Sequence, residues 1–313
     1  MLESIVVFVA GLLLLLFGAT GVINSALNIA SKIRISPLIV GITAVAIGTS
    51  LPEITVSIFG GISQATQLAL GNIIGSNIAN IGLLFGILIL FNRIHVGRYK
   101  TQNNVTTYFF LSLIIFLILY TNNLNSILGF ILILSGIAIL WLQIRQGLKG
   151  ALVEDKKLMR QTKKSHKNSF VLSLTFIVSI IALIIGGKLL VSYGVVLANI
   201  FNISQAIIGV TAVAVGTSLP ELAIIIVGLF KGENKLIVGT ILGSNMFNIL
   251  FGAGILGLYK VDGFNSPITL IFFLFLSLLF SGILYRFRGK NIPRCFGLLF
   301  LLLYGSYLFL ILT

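Results

Sequence analysis

A single cysteine, Cys295, stands among 313 residues, which excludes an intramolecular disulfide and any cysteine-rich metal site. Histidine is almost as scarce: His95 and His166 both fall in polar stretches between apolar runs, where they read as solvated side chains rather than bases or ligands. Charged residues make up 9% of the chain, against about a quarter in an average soluble domain. Only seven of them are acidic, namely Glu3, Glu53, Glu154, Asp155, Glu221, Glu233 and Asp262. What is abundant is hydrocarbon, at 58% of residues and a mean hydropathy of +1.13. A soluble fold is therefore excluded. At about 20 apolar residues per crossing, ten spans use most of the chain and leave no room for a separate aqueous domain. The net charge of +14 brings nucleic acid to mind. That reading needs basic residues gathered on a folded aqueous face, and here they lie between apolar runs.

Hydrophobic runs fall near 5–31, 37–61, 66–91, 105–121, 124–144, 169–196, 205–230, 236–259, 264–285 and 295–312. The first lacks a basic leader and a small-residue cleavage site, so it reads as a retained span. Loops on alternate sides differ sharply in Lys and Arg: one side carries nineteen, eight of them between Arg145 and Lys167, and the other carries only Lys260. Lys188 lies toward the outer end of the sixth run, where its stem reaches the interface. Basic loops stay in the cytoplasm. An even number of spans then places both termini outside, in a protein of the cell membrane.

Comparing the chain with itself gives one constant offset, 168. Gly41-Ile42-Thr43-Ala44-Val45-Ala46 falls on Gly209-Val210-Thr211-Ala212-Val213-Ala214. Gly48-Thr49-Ser50-Leu51-Pro52-Glu53 falls on Gly216-Thr217-Ser218-Leu219-Pro220-Glu221. Gly75-Ser76-Asn77 with Asn80 falls on Gly243-Ser244-Asn245 with Asn248. The halves are residues 1–145 and 169–313, joined by a basic linker, 146–168. Five spans in each half force the second copy to enter the membrane upside down. The expected fold is an all-α membrane protein of ten transmembrane helices in two inverted five-helix repeats, with a binding site near the midplane where the repeats meet. Gly18 and Gly186 read as packing glycines that let backbones approach.

Two of the seven acidic residues lie inside apolar spans, and they are repeat equivalents: Glu53 and Glu221. A carboxylate in hydrocarbon is unfavourable by about 2.5 to 3.5 kcal/mol on the mildest scale. No Lys or Arg lies near either in sequence, so a bound cation or protonation must neutralise them. Pro52 and Pro220 interrupt the helices beside them, and Gly48-Thr49-Ser50 and Gly216-Thr217-Ser218 are placed to unwind and free carbonyls. Such backbone survives at membrane depth only when it lines a cavity or is covered by protein. Carboxylate, hydroxyls and carbonyls within one turn are hard oxygen ligands, of the kind Ca²⁺ takes in sets of roughly six to eight. Ser76 with Asn80, and Ser244 with Asn248, are spaced i,i+4 and share a helix face. For any one Ser or Thr, interhelical hydrogen bonding explains the residue equally well; for the paired glutamates it does not.

The two G-T-S-L-P-E copies, each followed by G-S-N-x-x-N, resemble the α-repeats of the cation/Ca²⁺ exchanger superfamily, most closely the sodium/calcium exchanger branch in its short prokaryotic form. The motifs cover about 36–82 and 204–250. The resemblance implies a core of the second, third, seventh and eighth spans that holds the ions, past which the first and sixth slide. It implies Glu53 and Glu221 as shared ligands of Ca²⁺ and Na⁺, with Thr49, Thr217, Ala46 and Ala214 giving carbonyls. Ser50, Ser218, Ser76 and Ser244 would give hydroxyls, and Asn80 and Asn248 would line the middle of the site. Asn248 stands where K⁺-dependent relatives have Asp, which favours K⁺-independent exchange.

The expected activity is thus antiport of Na⁺ against Ca²⁺ by alternating access, electrogenic as the resemblance suggests, with the cations as cargo and no cofactor. A Ca²⁺/H⁺ exchanger using the same glutamates is the nearest alternative. A passive channel with a glutamate ring fits poorly, because five-span inverted halves have no obvious cyclic pore. An intramembrane enzyme lacks a His or Cys in the spans to act as base or nucleophile. The linker reads as a topology anchor rather than an anionic-lipid sensor, and it is too short for the calcium-sensing domains of larger exchangers. No nucleic-acid partner is expected; the bilayer and the two ions are.

Overall fold

A computed structural model describes residues 2–33, 35–92, 94–95, 100–150, 169–200, 216–259, 261 and 264–312. The described chain is helical almost throughout, as apolar segments in lipid must be, since only local hydrogen bonding satisfies every N–H and C=O. In order the helices are α1 (Leu2–Lys32), α2 (Pro37–Thr49), α3 (Leu51–Ile62), α4 (Thr66–Phe91), α5 (Lys100–Tyr120) and α6 (Ser126–Gly150). There follow α7 (Ser169–Ile200), α8 (Leu219–Lys231), α9 (Asn234–Gly257), α10 (Pro267–Arg286) and α11 (Cys295–Leu312). Among the described residues seven helices are long and apolar enough to cross a membrane, or eight if α2 and α3 count as one broken span. The apolar helix at Cys295–Ile311 is shorter. The first part of the seventh hydrophobic run and most of the 146–168 linker lie outside the described residues. The chain is an integral membrane protein.

Helix starts follow the local sequence. Four of the five prolines, Pro37, Pro52, Pro220 and Pro267, occupy the first or second position of a helical segment, where a missing N–H removes no intrahelical bond. Asn125 caps α6, its Oδ1 accepting from the N–H groups of Ile127 and Leu128 at 3.1 Å each. Gly232 closes α8 with a φ of 71°, a left-handed turn that suits glycine.

The contacts divide the chain into two compact units, Met1–Thr49 with Ile139–Thr240, and Ser50–Ala138 with Ile241–Thr313. Each unit draws helices from both sequence halves. In the first, α1 lies along α7 with backbones nearly touching. A Cβ on Gly18 would fall 2.7 Å from the Leu183 nitrogen, and one on Gly186 would fall 2.6 Å from the Leu15 nitrogen. These repeat-equivalent glycines are the packing residues their sequence positions suggested. Leu15, Ile23, Ile180, Leu183 and Ile224 form the apolar core around that seam. In the same unit Gly41 of α2 and Gly239 of α9 approach closely: a Cβ on either would run into a carbonyl of the other helix, Leu236 or Leu38.

The second unit is built on aromatic contacts. Phe85 of α4 meets Phe280 of α10 edge-to-face at 4.6 Å and Phe300 of α11 at 5.5 Å, and Tyr108 of α5 meets Phe280 at 5.9 Å. All four rings are fully buried. Aromatic pairs of this geometry add about 0.5 to 1.5 kcal/mol beyond the area they bury.

Candidate functional site

In the first unit α2 carries Ala46 and Thr49, both buried, at its C-terminal end. The Thr49 hydroxyl donates to the Ala46 carbonyl at 3.4 Å, which leaves that oxygen a second lone pair. Upstream, Gly41–Val45 is a π-helical stretch, and the Thr43 hydroxyl within it bonds back to the Ile39 carbonyl at 2.7 Å. In the same unit Thr217 is half-buried, Ser218 is buried, and Glu221 is 1% exposed in the first turn of α8. Ala214 lies outside the described residues.

In the second unit Ser50 is the residue on which the helical run breaks before α3, and Glu53 follows in the first turn of α3 with no exposure at all. The break is narrower than the sequence suggested. Gly48 and Thr49 remain helical, and only Ser50 departs, at φ −85° and ψ 5°. Ser218 takes nearly the same angles, −89° and 6°, although Thr217 before it is in a turn where its equivalent Thr49 is helical. A proline at the second position of the following segment is the physical reason: Pro52 and Pro220 have no N–H to give the carbonyl four residues back, at Gly48 and Gly216, and their rings crowd it, so the run breaks and a new helix begins at no loss. Each carboxylate residue therefore sits within the first turn of a helix, where the positive end of the dipole favours negative charge.

Also in the second unit, Ser76 and Asn80 on α4 and Ser244 and Asn248 on α9 are all buried. The structure adds a feature that composition did not signal. Asn80–Phe85 and Asn248–Ala253 are π-helical, each beginning on the asparagine, and their bounds lie 168 residues apart at both ends. Single π turns inside α-helices concentrate at functional sites, because the wider turn shifts the register of the remaining helix. The structure brings Asn80 against Asn245 of the partner motif, with Asn80 Nδ2 donating to Asn245 Oδ1 at 3.0 Å. Asn245 was not among the residues expected to matter, although it and its equivalent Asn77, whose Nδ2 bonds only within its own helix, belong to the same repeated Gly-Ser-Asn. Their spacing of three from Asn80 and Asn248 on one helix face was the available signal. Ser57, buried one turn beyond Glu53, donates to the Glu53 carbonyl at 2.9 Å. Among the described residues no group of three or more His, Cys, Asp or Glu is gathered to hold a metal.

The sequence model of the sodium/calcium exchanger protein family matches residues 3–145 and again 171–313. This chain belongs to that family. It is 35% identical to the inner membrane protein YrbG of Escherichia coli over 260 residues, 82% of this chain and 79% of that protein. It is 27% identical to the sodium/calcium exchanger MaX1 of Methanosarcina acetivorans over 346 aligned positions, 97% of each. Its fold matches that of the sodium-calcium exchanger NCX_Mj, soaked with 2.5 mM Na⁺ and 10 mM Sr²⁺, at a TM-score of 0.84 and 28% identity, covering 98% of both chains. The protein is a membrane exchanger, and its family consists of transporters rather than enzymes.

Proposed function

We propose that this exchanger carries Na⁺ into the cell down its gradient and Ca²⁺ out against its own, with Glu53 and Glu221 as the carboxylates that bind both ions. The single observation that carries the reading is that the only two acidic residues within apolar spans are repeat equivalents, 0% and 1% exposed, each following the same helix break. Membership of the sodium/calcium exchanger family supports the choice of ions, as does the likeness to NCX_Mj. Thr49, Thr217, Ala46 and Ala214 supply carbonyls in this reading; Ser50, Ser218, Ser76 and Ser244 supply hydroxyls; Asn80 and Asn248 supply amide oxygens. Ten spans in two inverted halves, with both termini outside, form the frame.

Coupling follows from competition. Both cations need the same two carboxylates, so they are not bound together. The empty site resists reorientation, because two bare carboxylates in a low-dielectric interior carry a desolvation penalty of several kcal/mol each. One Ca²⁺ or two Na⁺ neutralise that charge formally. A third Na⁺ makes the loaded carrier positive and the cycle electrogenic, and Asn248 in place of an acid makes K⁺ unnecessary.

Uptake of Ca²⁺ by proteoliposomes preloaded with Na⁺ tests the proposal. Wild type takes up Ca²⁺ without added K⁺, and Glu53→Gln and Glu221→Gln each abolish the uptake; a flux that survives either substitution refutes the assignment. A pH jump in Na⁺-free buffer drives no Ca²⁺ flux if Na⁺ is the coupling ion.

A further inference from the structure

The paired asparagines are not held alike. Asn80 Nδ2 is committed to Asn245 Oδ1, while Asn80 Oδ1 is buried with no hydrogen-bond partner. Behind Asn245 stands a second layer. The Tyr108 hydroxyl lies 2.7 Å from Ser277 Oγ and is turned toward Asn245 without a hydrogen bond to it, the Asn245 Nδ2 being buried with no hydrogen-bond partner, and both Tyr108 and Ser277 are fully buried. On the other copy the arrangement is absent. Asn77, the equivalent of Asn245, turns its Nδ2 to its own helix, donating to the Ile73 carbonyl at 2.8 Å. Asn248, the equivalent of Asn80, has neither Nδ2 nor Oδ1 paired. The positions 168 residues from Tyr108 and Ser277 are Leu276 and Phe109, so no second hydroxyl pair stands in the corresponding place.

An asparagine amide has two ends of nearly equal size and opposite character, a carbonyl acceptor and an NH₂ donor. Toward a cation only the oxygen is of use; the NH₂ end presents partial positive charge. We propose that Asn245, backed by Tyr108 and Ser277, is a positioning residue: it engages the nitrogen of Asn80 and thereby leaves the oxygen as the end offered to the transported cation. Asn248 has no such clamp and stays free to turn. The site thus has one fixed amide oxygen and one adaptable amide, an asymmetry between halves that the repeated motifs hide. This rests on the proposed role of Asn80 as a cation ligand. The mechanism is that of any outer layer around a metal ligand, which orients the group without touching the ion and typically changes affinity by about 10- to 100-fold when removed.

The test is calorimetric titration of the purified full-length protein with Ca²⁺ in Na⁺-free buffer. Asn245→Ala weakens binding about tenfold, Tyr108→Phe weakens it by less, and Asn77→Ala leaves it unchanged. The deciding measurement is a double-mutant cycle. Asn80→Asp has an oxygen at both ends and needs no orientation, so in that background Asn245→Ala has no effect on Ca²⁺ affinity. An equal loss in both backgrounds marks Asn245 as merely structural and overturns the proposal, as does an unchanged affinity in Asn245→Ala alone. Should Asn80→Asp fail to fold, the Asn80→Ala background serves: there Asn245→Ala adds no further loss, and an added tenfold loss overturns the clamp. Absence of Ca²⁺ binding by wild type refutes the exchanger reading itself and the clamp with it, an outcome distinct from any of these.

Discussion

At the scale of the residue, scarcity is the informative quantity. Glu53 and Glu221 stood out in the sequence because hydrocarbon tolerates a carboxylate only when something compensates it, and the structure buries both. Charge and reach are separable at this position. Glu53→Asp keeps the charge but draws it back by one methylene, so it binds Ca²⁺ measurably but more weakly than wild type in titration, whereas Glu53→Gln shows no binding. Equal loss in the two variants would mean that ligand placement, not charge, dominates. Asn245 and Tyr108 were not legible in the same way. The bond from Asn80 to Asn245 joins residues 165 positions apart, and that from Tyr108 to Ser277 joins residues 169 apart. A tyrosine or serine in an apolar span is ordinary in isolation; only its neighbours give it a role.

At the scale of the element, prolines and glycines carried most of what was readable. Pro52 and Pro220 marked the two breaks, although the structure confines the first to Ser50, fewer residues than the sequence suggested. The π-helical turns at Asn80–Phe85 and Asn248–Ala253 had no such marker, since one extra residue in a turn leaves the hydrophobic pattern of a fully buried helix unchanged. Gly18 and Gly186 permit the contact of α1 with α7. Adding a side chain there forces the helices apart, so Gly18→Val lowers the melting temperature in detergent, by an amount in line with the 1–3 kcal/mol typical of overpacking. Gly282, whose added Cβ would meet nothing within 4 Å, is the control, and Gly282→Ala does not lower it. If the two variants melt alike, the close approach of α1 and α7 does not depend on the glycine.

At the scale of the whole molecule, the distribution of Lys and Arg supplies an orientation, and the chain contains its own reporter of it. Cys295 is the only cysteine, is exposed, and directly follows Arg294 on the basic side. A membrane-impermeant maleimide therefore labels it in inside-out vesicles and leaves it unlabelled in intact cells; labelling of intact cells would reverse the orientation. The sequence by itself determined the membrane environment, the 168-residue repeat and the two buried acids, because these follow from composition, periodicity and the free energy of charge in hydrocarbon. Only the tertiary structure decided which glycines touch backbones, where the helices widen, and which asparagine is held by its neighbour. Those depend on contacts between spans far apart in the chain, and a pattern read along one helix does not contain the atoms that face it.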